Sequence, residues 1–212
     1  MDEDAFVIAK IAEFVRLDFV FLGFVVIHIA FAGAVTPRAF YNPLFADKIG
    51  GLNCISLVTI RGFGSSNDAN HLTGPSRDGA GLARAIQAAL QSAKFSQAEI
   101  DYVHAHGTGT SYNDAMESLA LKTIFGEACP PVSGSKGMLG HTLGAAGVIE
   151  TICCVLAMQN NFLPGTPQLN VAAEGTPKNL LHEPRSGVAL KNVLKLNTGF
   201  GGMNGALLLG HE

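Results

Sequence analysis

From residue 53 onward, short apolar runs rich in β-branched residues alternate with segments of helical spacing, and few folds accept that order. Cys54–Ile60 (CISLVTI), Ile100–Ala105 (IDYVHA), Pro131–Ser135, Asn192–Leu196 and Gly205–Leu209 predict strands. Gly79–Lys94 predicts a helix with Leu82, Ile86, Ala89 and Leu90 on one face. Asn113–Phe125 predicts a second, with Met116, Leu119, Ala120 and Ile124 inward, and Leu143–Met158 an apolar third. In that third segment Gly144, Ala145, Ala146 and Gly147 leave room for another backbone. Ser96-Gln97-Ala98-Glu99 has capping-box spacing. Arg61–Asp78 is polar and Gly-containing, and reads as a loop. The alternation implies a layered α/β domain.

The first 52 residues do not share this rhythm. Phe19–Val35 contains 17 residues without a formal charge, and His28 is its only ionisable side chain. A membrane span takes about 20 apolar residues. A secretory leader would begin with basic residues, whereas Met1-Asp2-Glu3-Asp4 is acidic. A buried strand or core helix is the expectation, with a membrane-associated helix as the alternative. Residues 36–52 form an irregular Pro- and Gly-containing stretch. The domain division is therefore 1–52, an apolar N-terminal segment, and 53–212, the α/β domain.

Of 212 residues, 48% are hydrophobic, only 15% are charged and 25 are glycine. That balance excludes a coiled coil and a charge-rich disordered chain. The 14 basic residues are scattered and the net charge is −3, which argues against a nucleic-acid partner. Cys54, Cys129, Cys153 and Cys154 form no C-x-x-C pair, and read as reduced thiols of a cytoplasmic protein.

Three segments break the regular pattern, each where a strand meets a Gly-rich loop. The first is His104-Ala105-His106-Gly107-Thr108-Gly109-Thr110, followed by Asn113-Asp114 and Glu117. A lone histidine is more often structural, but a Gly-Thr-Gly-Thr run after it lets backbone and hydroxyls approach a ligand. The second is Ser133-Gly134-Ser135-Lys136-Gly137-Met138-Leu139-Gly140-His141. It lacks the glycine spacing of a P-loop. On composition alone it also fits a surface lysine and a helix-capping histidine. The third is Asn197-Thr198-Gly199-Phe200-Gly201-Gly202-Met203-Asn204, either a plain turn or a ring on a mobile loop beside a pocket.

Together, H-G-T-G-T, S-x-S-K-x-x-x-G-H-x-x-G-A-A-G and N-x-G-F-G-G-x-N resemble the β-ketoacyl synthase (ketosynthase) family of the thiolase superfamily, in family order, over about residues 53–210. The resemblance implies a layered αβαβα architecture of two similar halves. This chain would supply the C-terminal half, a mixed sheet flanked by helices. It implies an acyltransferase that lengthens acyl chains by decarboxylative Claisen condensation, in fatty-acid or polyketide synthesis. Its substrates would ride as thioesters on the phosphopantetheine of an acyl carrier protein, with no other cofactor and no metal. His106 and His141 would stabilise the enolate oxygen, and Lys136 would shape the field around them. Glu117 would form a buried ion pair with Lys136. Thr108 and Thr110 would hydrogen-bond the phosphopantetheine arm, and Phe200 would gate the nucleophile. Asn113, Asp114, Asn197 and Asn204 would hold these loops. The expected partners are acyl carrier protein and a second synthase subunit, in a homodimer or heterodimer.

One departure stands beside the match. The family nucleophile is a cysteine on a strand-to-helix elbow in a context like A-C-S-S, and none of the four cysteines has that context. The expectation is a C-terminal half without the nucleophile, able at most to decarboxylate malonyl groups. A non-catalytic partner resembling the chain-length-factor subunits is the alternative.

Overall fold

The structure is a computed structural model that describes residues 57–211. The expectations for residues 1–52, including the apolar run 19–35, and for Cys54 lie outside the described residues.

Five strands form one mixed sheet in the order β1-β7-β6-β2-β3. They are β1 (Thr59–Asn67), β2 (Tyr102–His104), β3 (Val132–Ser133), β6 (Asn192–Gly199) and β7 (Met203–Gly210). β2 runs parallel to both β3 and β6, while β7 is antiparallel to β6 and β1. A small ribbon of β4 (Phe162–Leu163) and β5 (Arg185–Ser186) lies apart. The helices are α1 (Ala80–Ala93), α2 (Ser111–Phe125), the short α3 (Lys136–Leu139) and α4 (Ala146–Gln159). No helix among the described residues is long and apolar enough to cross a membrane.

The period-2 alternation of the strands sorts side chains onto two faces. Val103, Leu194, Leu196, Ala206 and Leu208 turn to one face and form a core with Leu82, Ile86 and Ala89 of α1 and Met116, Ala120 and Leu121 of α2. Tyr102, Val193 and Leu209 turn to the other and meet Cys154, Ala157 and Met158 of α4. Helices on both faces of a mixed sheet are what the alternation implied. On α2 the inward leucine is Leu121, 1% exposed, and Leu119 faces solvent at 42%. Ser96 and Glu99 form the expected cap of a 3₁₀ turn: Glu99 Oε2 accepts from the Ser96 N–H at 2.8 Å and from its hydroxyl at 3.0 Å.

The largest difference from the sequence reading lies in β1. The strand begins at Thr59 and continues to Asn67, through residues that read as a loop. Gly62 and Gly64 suggested turns. They are instead contact points, because a Cβ on Gly62 would sit 2.3 Å from Ala89 O and one on Gly64 2.0 Å from Ala85 O. In register they face Leu208 and Ala206 of β7. Missing side chains on the strand thus let the backbone of α1 settle directly on the sheet.

Gly64→Ala should therefore destabilise the protein by about 1–3 kcal/mol or more, because neither backbone can yield without opening the core. Gly144→Ala, where nothing lies within 4 Å of the added carbon, should stay within about 0.5 kcal/mol. Thermal denaturation of the two variants checks the contrast.

Candidate active site

The three parallel strands end at one edge of the sheet, and each of the three Gly-rich segments leaves from such an end. His106 and its loop follow β2, Lys136 and His141 follow β3, and Asn197–Gly202 close the β6–β7 hairpin. In open α/β sheets the crevice beyond the carboxyl ends of the strands is where ligands bind. Topology alone brings the motifs together.

His106 is 6% exposed, and its ring meets that of His141 edge to face, with centroids 5.6 Å apart. The Nδ1 of His141 accepts the N–H of Leu143 at 3.1 Å, a contact that requires Nδ1 to carry no proton and leaves Nε2 as the protonated nitrogen. The cap position of the short 3₁₀ turn Leu143–Ala145 is Thr142, and His141, one residue before it, ties the first N–H of that turn. The Nδ1 of His106 faces inward, 3.3 Å from Lys136 Nζ and 3.4 Å from Asn197 Oδ1. In both rings Nδ1 is the engaged nitrogen, which leaves each Nε2 for a ligand.

Glu117 does not pair with Lys136 as the resemblance implied. Its carboxylate accepts the N–H groups of His106 at 2.7 Å and Gly107 at 2.9 Å, and so clamps the loop from α2. Burial raises its pKa while those two N–H bonds oppose the shift. The ion pair of Lys136 is with Glu150, on α4. The reason is helical geometry. Gly147, Glu150, Cys154, Ala157 and Met158 lie on one face of α4, spaced by three, seven, ten and eleven residues. That face covers the row Val193, Lys195 and Asn197 of β6.

Lys195 is the residue that sequence reasoning passed over. It is 2% exposed and pairs with the second oxygen of Glu150 at 2.5 Å. It also donates to the carbonyl of Leu196 at 2.7 Å and to Asn197 Oδ1. One carboxylate thus serves two buried lysines. Burial disfavours ionising Glu150, but Lys195 and Lys136 overcome this and hold its pKa below the usual value. Burial lowers the pKa of Lys195, and Glu150 opposes that shift.

His104 lies in register with Lys195 on the same face. Its Nδ1 bonds the Ala105 carbonyl at 3.1 Å, and its buried Nε2 has no hydrogen-bond partner. Burial, reinforced by Lys195, lowers its pKa to about 3. Burial, then Lys136 and Lys195, lower that of His106 to about 4. Both rings are neutral at pH 7.

Toward solvent the loop is tied by hydroxyls. Thr108 and Thr110 bond each other at 2.9 Å, Asn113 donates to Thr110 at 2.8 Å, and the N–H of Gly109 reaches Asp114 at 3.2 Å. Phe200 is 75% exposed on its Gly-flanked loop. Asn204 holds Asp68 at 2.7 Å. Burial raises the thiol pKa values of Cys129 and Cys153 to about 11 and that of Cys154 well above its usual value. None of the three is set up as a thiolate nucleophile. Among the described residues no three His, Cys, Asp or Glu gather as a metal would need.

The family profile described as "Beta-ketoacyl synthase, C-terminal domain" matches residues 57–171. The 3-oxoacyl-[acyl-carrier-protein] synthase 2 of Vibrio cholerae is 40% identical over 151 residues, and that of Coxiella burnetii 36% over 159. These cover 69% and 74% of this chain but only 36% and 38% of the relatives, so the chain spans little more than a third of their length. Among solved structures, the ishigamide ketosynthase/chain length factor matches with TM-score 0.70 and 37% identity, covering 74% of this chain and 38% of that one. A type II polyketide acyl-carrier protein in complex with its ketosynthase bound to the hexaketide matches with TM-score 0.72 and 29% identity, covering 79% and 41%.

Two outcomes follow from the buried charges. Glu150→Gln leaves two buried lysines without their anion and should cost about 3–5 kcal/mol in urea unfolding. The histidines set the acid side. Their folded pKa values lie below the ordinary 6.5, so the unfolded chain binds more protons. Their contribution to stability is complete above pH 6.5 and is lost as pH falls toward 4 and 3. Between pH 6.5 and 5 the slope from each should grow from about 0.7 toward about 1.4 kcal/mol per pH unit, as the unfolded histidine goes from half to fully protonated. His104→Phe should remove one such increment, as read from unfolding free energies across that interval.

Proposed function

The chain belongs to the β-ketoacyl synthase family, matched through the C-terminal domain, and from that premise we propose that it forms the C-terminal half of a decarboxylative condensing acyltransferase. The observation that carries the reading is the pair of histidines at the carboxyl edge of the sheet, with ring centroids 5.6 Å apart and Nδ1 of each engaged by the protein.

The chemistry suits such a pair. When a malonyl thioester loses CO₂, the electrons of the broken C–C bond move into the thioester carbonyl, whose oxygen becomes negative. Two Nε2–H donors stabilise that oxygen without a proton having to be transferred. A fixed donor of this kind contributes about 3–4 kcal/mol. The enolate carbon then attacks an acyl thioester and expels its thiolate. The step consumes no redox equivalents. The acyl-enzyme cysteine would come from outside the described residues, since the thiols of Cys129, Cys153 and Cys154 are pushed up by burial. Thr108 and Thr110 would guide the phosphopantetheine arm of an acyl carrier protein, and Phe200 would gate the nucleophile. The pathway would be fatty-acid or polyketide synthesis in the cytoplasm, with the site completed in a homodimer or by a ketosynthase subunit.

A second reading is supported by the solved ketosynthase/chain length factor assembly that the chain resembles: a non-catalytic partner subunit. The gathering of His141 and Lys136 against His106 supports the catalytic one.

Incubation of the full chain with malonyl-acyl carrier protein should release CO₂, and His106→Ala should lower that release about 10²- to 10³-fold. Release that is absent, or indifferent to His106, would favour the partner-subunit reading. With radiolabelled acyl-carrier protein, Cys129, Cys153 and Cys154 should stay unlabelled, and covalent label on Cys54 would place the nucleophile within this chain.

A further inference from the structure

Lys195 sits where neither the motifs nor the proposed chemistry requires a lysine. A lone cation in the apolar strand N-V-L-K-L-N is costly to bury, and here its burial is 98% complete. Glu150 already has Lys136 as a partner, so charge balance does not call for a second ammonium. Two lysines on one carboxylate leave the cluster with a net positive charge. What Lys195 adds is a donor to Asn197 Oδ1, the atom that competes for His106.

The competition is explicit. His106 Nδ1 lies between Lys136 Nζ at 3.3 Å, which can only donate, and Asn197 Oδ1 at 3.4 Å, which can only accept. If Lys136 wins, Nδ1 is the acceptor and the ring proton sits on Nε2, facing a ligand. If Asn197 wins, the proton sits on Nδ1 and the ring cannot donate to an oxyanion. The Asn197 amide cannot simply rotate away. A Cβ on Gly147 would fall 2.5 Å from Asn197 Nδ2, so the amide nitrogen fills the space that glycine leaves. The Lys195 ammonium can only donate, so its contact requires the oxygen of that amide, and not the nearly isosteric NH₂, on the side of Lys195 and His106. Lys195 occupies it with an ammonium hydrogen bond, stronger than a neutral one.

We propose that Lys195 is a positioning residue for His106: by engaging the Asn197 amide oxygen it leaves His106 Nδ1 to Lys136 and fixes the ring as the Nε2–H tautomer. The proposal rests on reading His106 as an oxyanion donor, and it adds the residue that makes it one. The other charged or titratable groups around the ring are consistent with it. Glu150 on α4 is held by both lysines. Glu117 on α2 is occupied by backbone N–H groups. His104 on β2 is neutral at pH 7. His141 meets the ring edge to face and engages its own Nδ1 with the Leu143 N–H.

The test is the tautomer, read on ligand-free full-chain protein labelled with ¹⁵N-histidine, through two-bond ¹⁵N–¹H correlations at pH 7. The wild-type ring of His106 should show Nε2–H, and Nδ1–H there overturns the proposal at once. In Lys195→Met the freed Asn197 oxygen should draw the proton to Nδ1, and the pKa of His106 should rise. Lys195→Gln, which keeps a donor but no charge, should restore Nε2–H. A folded Lys195→Met protein with the wild-type tautomer and titration overturns the proposal. If that variant does not fold, Lys195→Met combined with Asn197→Leu replaces both polar partners by apolar ones, a milder change. It should keep Nε2–H because the competing acceptor is gone, and Nδ1–H in it overturns the proposal. The readout needs no turnover, so a protein that passes it yet releases no CO₂ would count against the proposed reaction and leave the role of Lys195 standing.

Discussion

Glu150 is the group on which the site depends. It projects from an otherwise apolar helix into a buried layer, and its two oxygens reach Lys136 after β3 and Lys195 within β6. A buried carboxylate is tolerated only when its charge is compensated, and here two strands supply the compensation. The same contacts tie α4 to the sheet at the level where the loops begin. Lys136, held from one side by Glu150, reaches the carbonyl and Nδ1 of His106 on the other. The position of the histidine is thus inherited from an ion cluster that never needs to touch a substrate.

The sheet makes that inheritance possible. Parallel pairing of β3, β2 and β6 sends three loops to one edge, so residues 106, 136 and 197 become neighbours despite their separation in sequence. Close seating of α1 on Gly62 and Gly64 fixes the opposite face. Gly147 does the same for α4, opposite the Asn197 amide. The glycine excess therefore has two origins. Some glycines shape ligand loops, and Gly107 and Gly109, with φ of 52° and 72°, need that freedom. Others are absent side chains that set how near a helix can come.

Most of the architecture was legible in the sequence because hydrophobic period carries it: both long helices on the first face, the apolar α4, and strands β2, β3, β6 and β7. β1 beyond Ile60 was not legible, because glycines in a strand and glycines in a turn look alike until the helix above them is known. The motif residues His106, Lys136 and His141 were legible as a group and come together as expected. The partner of Lys136 was not. Glu117 and Glu150 are both single carboxylates at helical positions, and only packing decides that one meets backbone amides and the other a lysine. Yet a signal existed for Glu150 and Lys195. Each is the lone charge in an apolar element, V-I-E-T-I-C-C-V and V-L-K-L, and charges so placed are seldom unpaired.

The net positive charge of the cluster would act in two ways on the proposed chemistry. It disfavours an imidazolium at His106, adding to the effect of burial. It also favours any negative charge that develops beside that ring. A protonated histidine would donate as well, but it would attract resting carboxylates and hold them before reaction. In the proposed reaction, a neutral donor beside that cluster would interact weakly with the uncharged thioester carbonyl and strongly with the enolate oxygen it becomes. That difference between ground state and transition state is what accelerates a reaction. Two lysines on one glutamate achieve it with charges kept out of solvent, where screening would weaken them.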